Sequence, residues 1–220
     1  MAVAFRGVAP SILSADFARL GAQVQEVLDA GASTIHVDIM DGHFVPPITM
    51  GPLAVDAIKA QVAAAGAKID VHLMIDRPEH QIEAFAKAGA DSITIHAEAT
   101  PHLHYTLQAI EAAGCLTGLA LNPGTPAEAV SALEPVMVLC MTVNPGWGGQ
   151  KFLEHSLSKL ERLRELIGPD TALEVDGGID AATAARCAAA GATVFVAGTA
   201  VFGAQDPAQA VKAISTAITR

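Results

Sequence analysis

Cysteine is scarce and unpaired in this 220-residue chain: Cys115, Cys140 and Cys187 stand alone, with no C-x-x-C spacing. Such a set argues against a disulfide framework or a structural zinc site. It reads as small buried hydrophobes in a reducing cytosol, so a cytoplasmic location is expected. Positive charge is also short, since 13 Lys and Arg against 23 Asp and Glu give a formal charge of −10. That balance argues against nucleic acid or an anionic membrane as partner, and any anionic ligand must be held by local dipoles or a metal. No apolar stretch approaches the ~20 residues that span a bilayer. Arg6 and Pro10 fall where a secretory leader would need its apolar segment, so none is expected. Linkers and low-complexity segments are missing too, and one domain over residues 1–220 is the expectation.

What is present is an apolar chain, 51% hydrophobic and 16% charged, enough for a large core. The tripeptide Ala-Gly-Ala recurs at 30–32, 65–67, 88–90 and 190–192. Each copy follows an Ala-rich amphipathic stretch and precedes a β-branched run, as expected where a glycine caps a helix that turns into a strand. Strands are predicted over 8–13, 34–39, 68–73, 92–95, 116–121, 136–143, 173–175 and 193–197. Helices are predicted near 17–30, 52–64, 78–88, 101–113, 126–132, 155–167, 180–189 and 208–219. Eight alternating units with short links predict a parallel sheet closed into a (β/α)8 TIM barrel; a doubly wound open sheet is the alternative.

Three of these strands end in ionisable groups: His36 and Asp38, His72, and Asp176. Ionisable groups in β-branched runs are costly unless something binds them. His36 and Asp38 are two apart and share a face, and in a barrel strands 2, 3 and 7 all open at one mouth. Two imidazoles and two carboxylates suit one divalent metal ion, zinc first, with ferrous iron or manganese as alternatives. Asp70 and Glu174, two residues below on the same faces, are either groups that orient those ligands or acids paired elsewhere.

Glycine-rich turns follow strands 6, 7 and 8: Asn144-Pro145-Gly146-Trp147-Gly148-Gly149, Gly177-Gly178, and Gly198-Thr199. Backbone N–H groups there can approach a phosphate closely, which suits a chain poor in positive charge. Met40, Met74 and Met141, at or just past strand ends, suggest an apolar floor that keeps water from a reactive intermediate. Asp38 and Asp176 come from well-separated strands, so they can face a substrate from opposite sides and invert a stereocentre. A C–H beside a ketone is a weaker acid than a carboxylic acid by roughly 15 pKa units, about 20 kcal/mol. A Lewis acid on the oxygens of an enediolate supplies much of that.

Together these segments carry a family likeness. Pro10-Ser11-Ile12-Leu13-Ser14-Ala15-Asp16-Phe17, the run from His36 to Pro46, Asp70-Val71-His72-Leu73-Met74, Val143-Asn144-Pro145-Gly146 with Gly148-Gly149-Gln150, and Glu174-Val175-Asp176-Gly177-Gly178 resemble the ribulose-phosphate 3-epimerase family. The resemblance implies a barrel of the ribulose-phosphate binding type. It implies interconversion of D-ribulose 5-phosphate and D-xylulose 5-phosphate in the pentose phosphate pathway. It puts a metal on His36, Asp38, His72 and Asp176, with Asp38 as proton acceptor and Asp176 as donor. Ser11 and His72 would contact the sugar phosphate, and Gly146, Trp147, Gly148, Gly149, Gly177, Gly178, Gly198 and Thr199 its phosphate end. Trp147, Thr199 and Pro47 stand where the family usually has Phe, Ser and Asn.

Other readings are an epimerase for a related sugar such as allulose 6-phosphate, a decarboxylase or aldolase of the related barrels, and a non-catalytic barrel that senses a phosphate ligand. His72 stands where the decarboxylases carry lysine, and Lys68 lies at the wrong end of strand 3 for a Schiff base. A homo-oligomer is expected, because apolar barrel surfaces commonly associate.

Overall fold

The computed structural model describes residues 5–219. Eight parallel strands run β1 (Gly7–Pro10), β2 (Thr34–Met40), β3 (Lys68–Met74), β4 (Ser92–His96), β5 (Leu116–Leu121), β6 (Met137–Met141), β7 (Ala172–Asp176) and β8 (Val194–Ala197). They pair in the order β1-β8-β7-β6-β5-β4-β3-β2, and a parallel bridge between Ser11 and His36 joins the two ends. The chain is therefore a single (β/α)8 TIM barrel, not an open sheet.

Helices α1 (Leu20–Asp29), α2 (Pro52–Ala64), α3 (Ile82–Ala88), α4 (Leu103–Ala112), α5 (Ser156–Ile167), α6 (Ala181–Ala189), α7 (Thr199–Phe202) and α8 (Pro207–Ala217) surround it. Gly31, Gly66, Gly89 and Gly191, central in the repeated tripeptides, all have positive φ, which closes each helix with a left-handed residue.

Strands buried on both faces read as continuous apolar runs. In β2, Ile35, Val37 and Ile39 join the shell between sheet and helices, along with Ile69, Val71 and Leu73 of β3. The alternate residues of β2, β3 and β7 point into the barrel, and this is where the ionisable groups lie. Lower in the barrel, Ala9, Met137, Ala172, Val194 and Val196 fill the interior.

Several element boundaries differ from expectation, the following four among them. Strand β1 stops at Pro10 because Ser11 turns the chain: its hydroxyl accepts the Leu13 N–H at 3.3 Å and opens a 3-10 turn over Ile12–Ser14. Strand β6 stops at Met141, where the Thr142 hydroxyl bonds the carbonyls of Asp176 and Gly177 at 2.9 and 2.6 Å. The helix expected at 126–132 is only a 3-10 turn, Ala127–Val130, since Pro126 and Pro135 confine it to less than two turns. The short α7 comes directly after β8, where no helix was expected.

Candidate active site

The strands deliver Asp38, Asp176, Met40, Met74 and Met141 to the walls of a cavity of about 370 Å³ at their C-terminal ends. Ser11, Gly146, Trp147, Gly148, Gly149, Gly177, Gly178, Gly198 and Thr199 line it as well. The three methionines are buried and line the cavity, Met40 packing with Met74 and Val45, and Met141 with Val143 and Leu139. His36 and His72 are fully buried and stand behind the carboxylates, outside the cavity wall.

Register creates the cluster. Asp38 of β2 pairs with His72 of β3, and His36 pairs with Asp70, so four polar side chains stack across two adjacent strands. Asp38 Oδ1 lies 3.2 Å from His36 Nε2 and 3.0 Å from His72 Nδ1, while Asp176 Oδ2 lies 3.7 Å from His72 Nδ1. One donor atom from each of His36, Asp38, His72 and Asp176 falls within 4.8 Å of the other three. Such a mixed N/O set within reach of one point fits a divalent cation.

A second layer holds the first. His36 Nδ1 lies 2.7 Å from Asp70 Oδ2, and Asp70 also accepts the Ser92 hydroxyl. Asp70 thus braces His36 on the neighbouring strand, not the His72 above it. Glu174 is wholly buried, has no hydrogen-bond partner and sits 3.6 Å from His36 Nδ1. The other oxygen of Asp38 accepts the Ser11 hydroxyl at 2.5 Å.

These contacts split the protonation of the two carboxylates. Burial alone would raise the Asp38 pKa, but His36 and His72 outweigh it and hold the group well below the usual carboxylate range. Burial and the Asp38 charge push Asp176 up to about 7. Burial and the Asp70 charge push Glu174 up to about 8. Burial carries His72 down to about 4, against the pull of Asp38. His36 moves the other way, because Asp38, Asp70 and Glu174 overcome the effect of burial and raise its pKa. One carboxylate is therefore ionised while its neighbour holds a proton near neutrality.

The glycine loops meet at the same cavity, with Gly148 and Gly149 beside the Thr199 hydroxyl. Gly178 has φ +65, and a Cβ there would stand 2.7 Å from the Phe152 backbone nitrogen, so only glycine fits. Gly177 is similarly confined by Val143, with a Cβ position 2.3 Å from its side chain. The loop after β6 lies against the loop after β2: a Cβ on Gly146 would be 3.3 Å from Val45 and 3.7 Å from Pro47. Pro47 still serves its own loop, since its carbonyl accepts the Gly42 N–H at 2.9 Å. Trp147 is the chain's single tryptophan and is about half exposed (55%) at the rim.

Two groups escaped the sequence reading. Ser14 lines the same pocket, with its hydroxyl 3.3 Å from that of Thr199. Within Pro10–Phe17 nothing in residue type separates it from a turn serine. His96 lies 2.8 Å from His72, nitrogen to nitrogen, and is fully buried. Its signal was present, as β4 ends on a histidine like β3's inner face; the strand was read one residue too short.

Comparison with known proteins decides the lineage. The model of the ribulose-phosphate 3 epimerase family matches residues 7–202. The chain belongs to this family. It is 54% identical over 198 residues to the ribulose-phosphate 3-epimerase of Rhodobacter capsulatus, covering 89% of this chain and 85% of that one. It is 48% identical over 213 residues to the enzyme of the same name from Bacillus subtilis, covering 94% and 97%. The crystal structure of a 3-hexulose-6-phosphate synthase superposes with a TM-score of 0.71 at 24% identity, covering 97% of this chain and 99% of that one, which reports a shared fold. Family members are isomerases, and these relatives carry the name of the pentulose-phosphate epimerase and not of a hexulose-phosphate one. Cys115, Cys140 and Cys187 are all buried and free, and burial raises each thiol pKa. No helix among the described residues is long and apolar enough to cross a membrane.

Proposed function

We propose that this protein inverts C3 of D-ribulose 5-phosphate to give D-xylulose 5-phosphate, with Asp38 and Asp176 as the two acid–base groups. The observation that carries the reading is their placement: Asp38 of β2 and Asp176 of β7, from well-separated strands, line one cavity together with the three methionines. Asp38 takes the proton from C3 and the C–H electron pair moves toward the C2 carbonyl, leaving an enediolate over Met40, Met74 and Met141. Asp176 then gives its proton to C3 from the other face, and the configuration inverts. The reverse reaction uses the same two groups in exchanged roles. Ser11, through its bond to Asp38 Oδ2, keeps that carboxylate turned toward the substrate.

His36, Asp38, His72 and Asp176 would hold the cation, with zinc assigned first from the donor set and iron or manganese as alternatives. When bound, it supplies a Lewis acid that draws charge from the substrate's carbonyl and C3 hydroxyl oxygens and so acidifies C3–H. The glycines after β6, β7 and β8, with Thr199, hold the phosphate by backbone N–H groups, consistent with the shortage of basic residues. A cytoplasmic location is supported by the three free thiols, and a homo-oligomer by exposed Ile48 and Leu53.

The test is incubation with ribulose 5-phosphate in D2O. The expected result is deuterium at C3 in both epimers, together with xylulose 5-phosphate. Tight binding with no exchange would instead identify a phosphate-binding barrel without catalysis.

A further inference from the structure

A line of hydrogen bonds leads from the cluster across β4 to the loop after β5. His72 Nδ1 faces Asp38, and its other nitrogen, Nε2, lies 2.8 Å from Nε2 of His96 on β4. The two rings are inclined by 24° with centroids 4.9 Å apart, and Phe44 packs on His96 at 4.8 Å. His96 Nδ1 then lies 3.3 Å from Glu98 Oε2, just past the strand. Glu98 is fastened by the Asn122 N–H at 2.9 Å and by the Thr125 hydroxyl, both in the loop after β5. Burial would raise its carboxyl pKa, but His96 and these donors hold it at about 2, so it is ionised.

Proton bookkeeping gives this line a direction. Between two neutral imidazoles in Nε2-to-Nε2 contact there is room for a single proton. If His96 owns it, His96 Nδ1 is bare and turns a lone pair on the Glu98 carboxylate, which is repulsive. If His72 owns it, His96 carries its proton on Nδ1 and donates to Glu98, and His72 Nδ1 is left with a lone pair. Only the second arrangement lets His72 bind a cation through Nδ1. We propose that Glu98, acting through His96, is the positioning group that holds His72 in its metal-binding tautomer. In the metal-free chain Asp38, 3.0 Å from His72 Nδ1, competes for that proton. With His72 and Asp38 both serving as ligands that competition would end, and the Glu98–His96 line would lower the cost of keeping the proton on Nε2. This inference rests on the reading of His72 as a metal ligand.

The experiment loads the full chain, labelled with 15N-histidine, with Zn2+ and reads the protonated nitrogen of each ring by long-range 1H–15N correlation. The same protein and Glu98→Gln are titrated with Zn2+ against a chromophoric chelator. The expected result is His72 protonated on Nε2 and His96 on Nδ1, with Zn2+ affinity about 10- to 100-fold weaker in Glu98→Gln. Glu83→Gln, on an exposed helix face and paired with Lys87, should leave affinity unchanged as a charge control. Zn2+ bound with His96 bare at Nδ1 would overturn the proposal, and so would unchanged affinity in Glu98→Gln. Failure of the wild-type chain to bind Zn2+ would overturn the metal reading beneath it.

Discussion

The Ser11 hydroxyl donates to Oδ2 of Asp38 at 2.5 Å, leaving Oδ1 of the same carboxylate to face His36 and His72. One residue thus fixes the rotation of the proposed base. Ser11→Ala removes a bond to a charged group worth about 1.5–3 kcal/mol, so kcat should fall roughly 10- to 100-fold while the fold persists. Steady-state kinetics alongside a thermal melt would check this, and an unchanged kcat would remove Ser11 from the mechanism.

The two aspartates predict separable defects. Asp176→Asn keeps an oxygen in place but has no proton to give, whereas Asp38 can still deprotonate ribulose 5-phosphate. That variant should exchange the C3 hydrogen of ribulose 5-phosphate with solvent without forming xylulose 5-phosphate. Asp38→Asn should show the converse preference, for xylulose 5-phosphate. Full epimerisation by either variant is the contrary result.

The proposed phosphate loop depends on backbone geometry. Alanine at Gly178 would combine positive φ with a Cβ 2.7 Å from the Phe152 backbone. Gly178→Ala should therefore cost more than about 1 kcal/mol of stability and raise KM for substrate. Inorganic phosphate should change the fluorescence of Trp147 in the wild type and do so more weakly in the variant.

The raised carboxyl groups give the metal-free chain a pH dependence of definite sign. Asp176 and Glu174, at about 7 and 8 in the fold, stabilise fully below the ordinary carboxyl pKa and lose that contribution as pH rises through those values. His36, also raised, contributes a slope of the same sign. Asp38, held low, stays ionised throughout this window, and His72 titrates below it. Between roughly pH 6.5 and 8, urea unfolding in chelator should show falling stability, and divalent metal should reverse the trend by replacing those protons. Rising stability across that window without metal would contradict the assignment.

How much of this was legible in the residues depends on what each feature needs. The barrel was readable because Ala-Gly-Ala caps and β-branched runs are local signals, and the four donor residues because acids and imidazoles stand out in apolar strands. The bond partners were not readable. Asp70 serves His36 only because of the β2–β3 register, which no local pattern encodes. The turn at Ala127–Val130 and the stop of β6 at Met141 came from tertiary contacts and proline limits that override propensity. Ser14 and Glu98 act through partners far away in sequence, Thr199 and Asn122 among them.

The central claim is that one cation makes a carbon acid accessible to Asp38 and Asp176. The most direct measurement is epimerisation by protein stripped with a strong chelator, then resupplied separately with Zn2+, Mn2+, Fe2+ or Co2+. The account predicts that C3 exchange and epimerisation vanish together on stripping and return together with at least one of these ions. Undiminished turnover in the stripped, folded protein would contradict it.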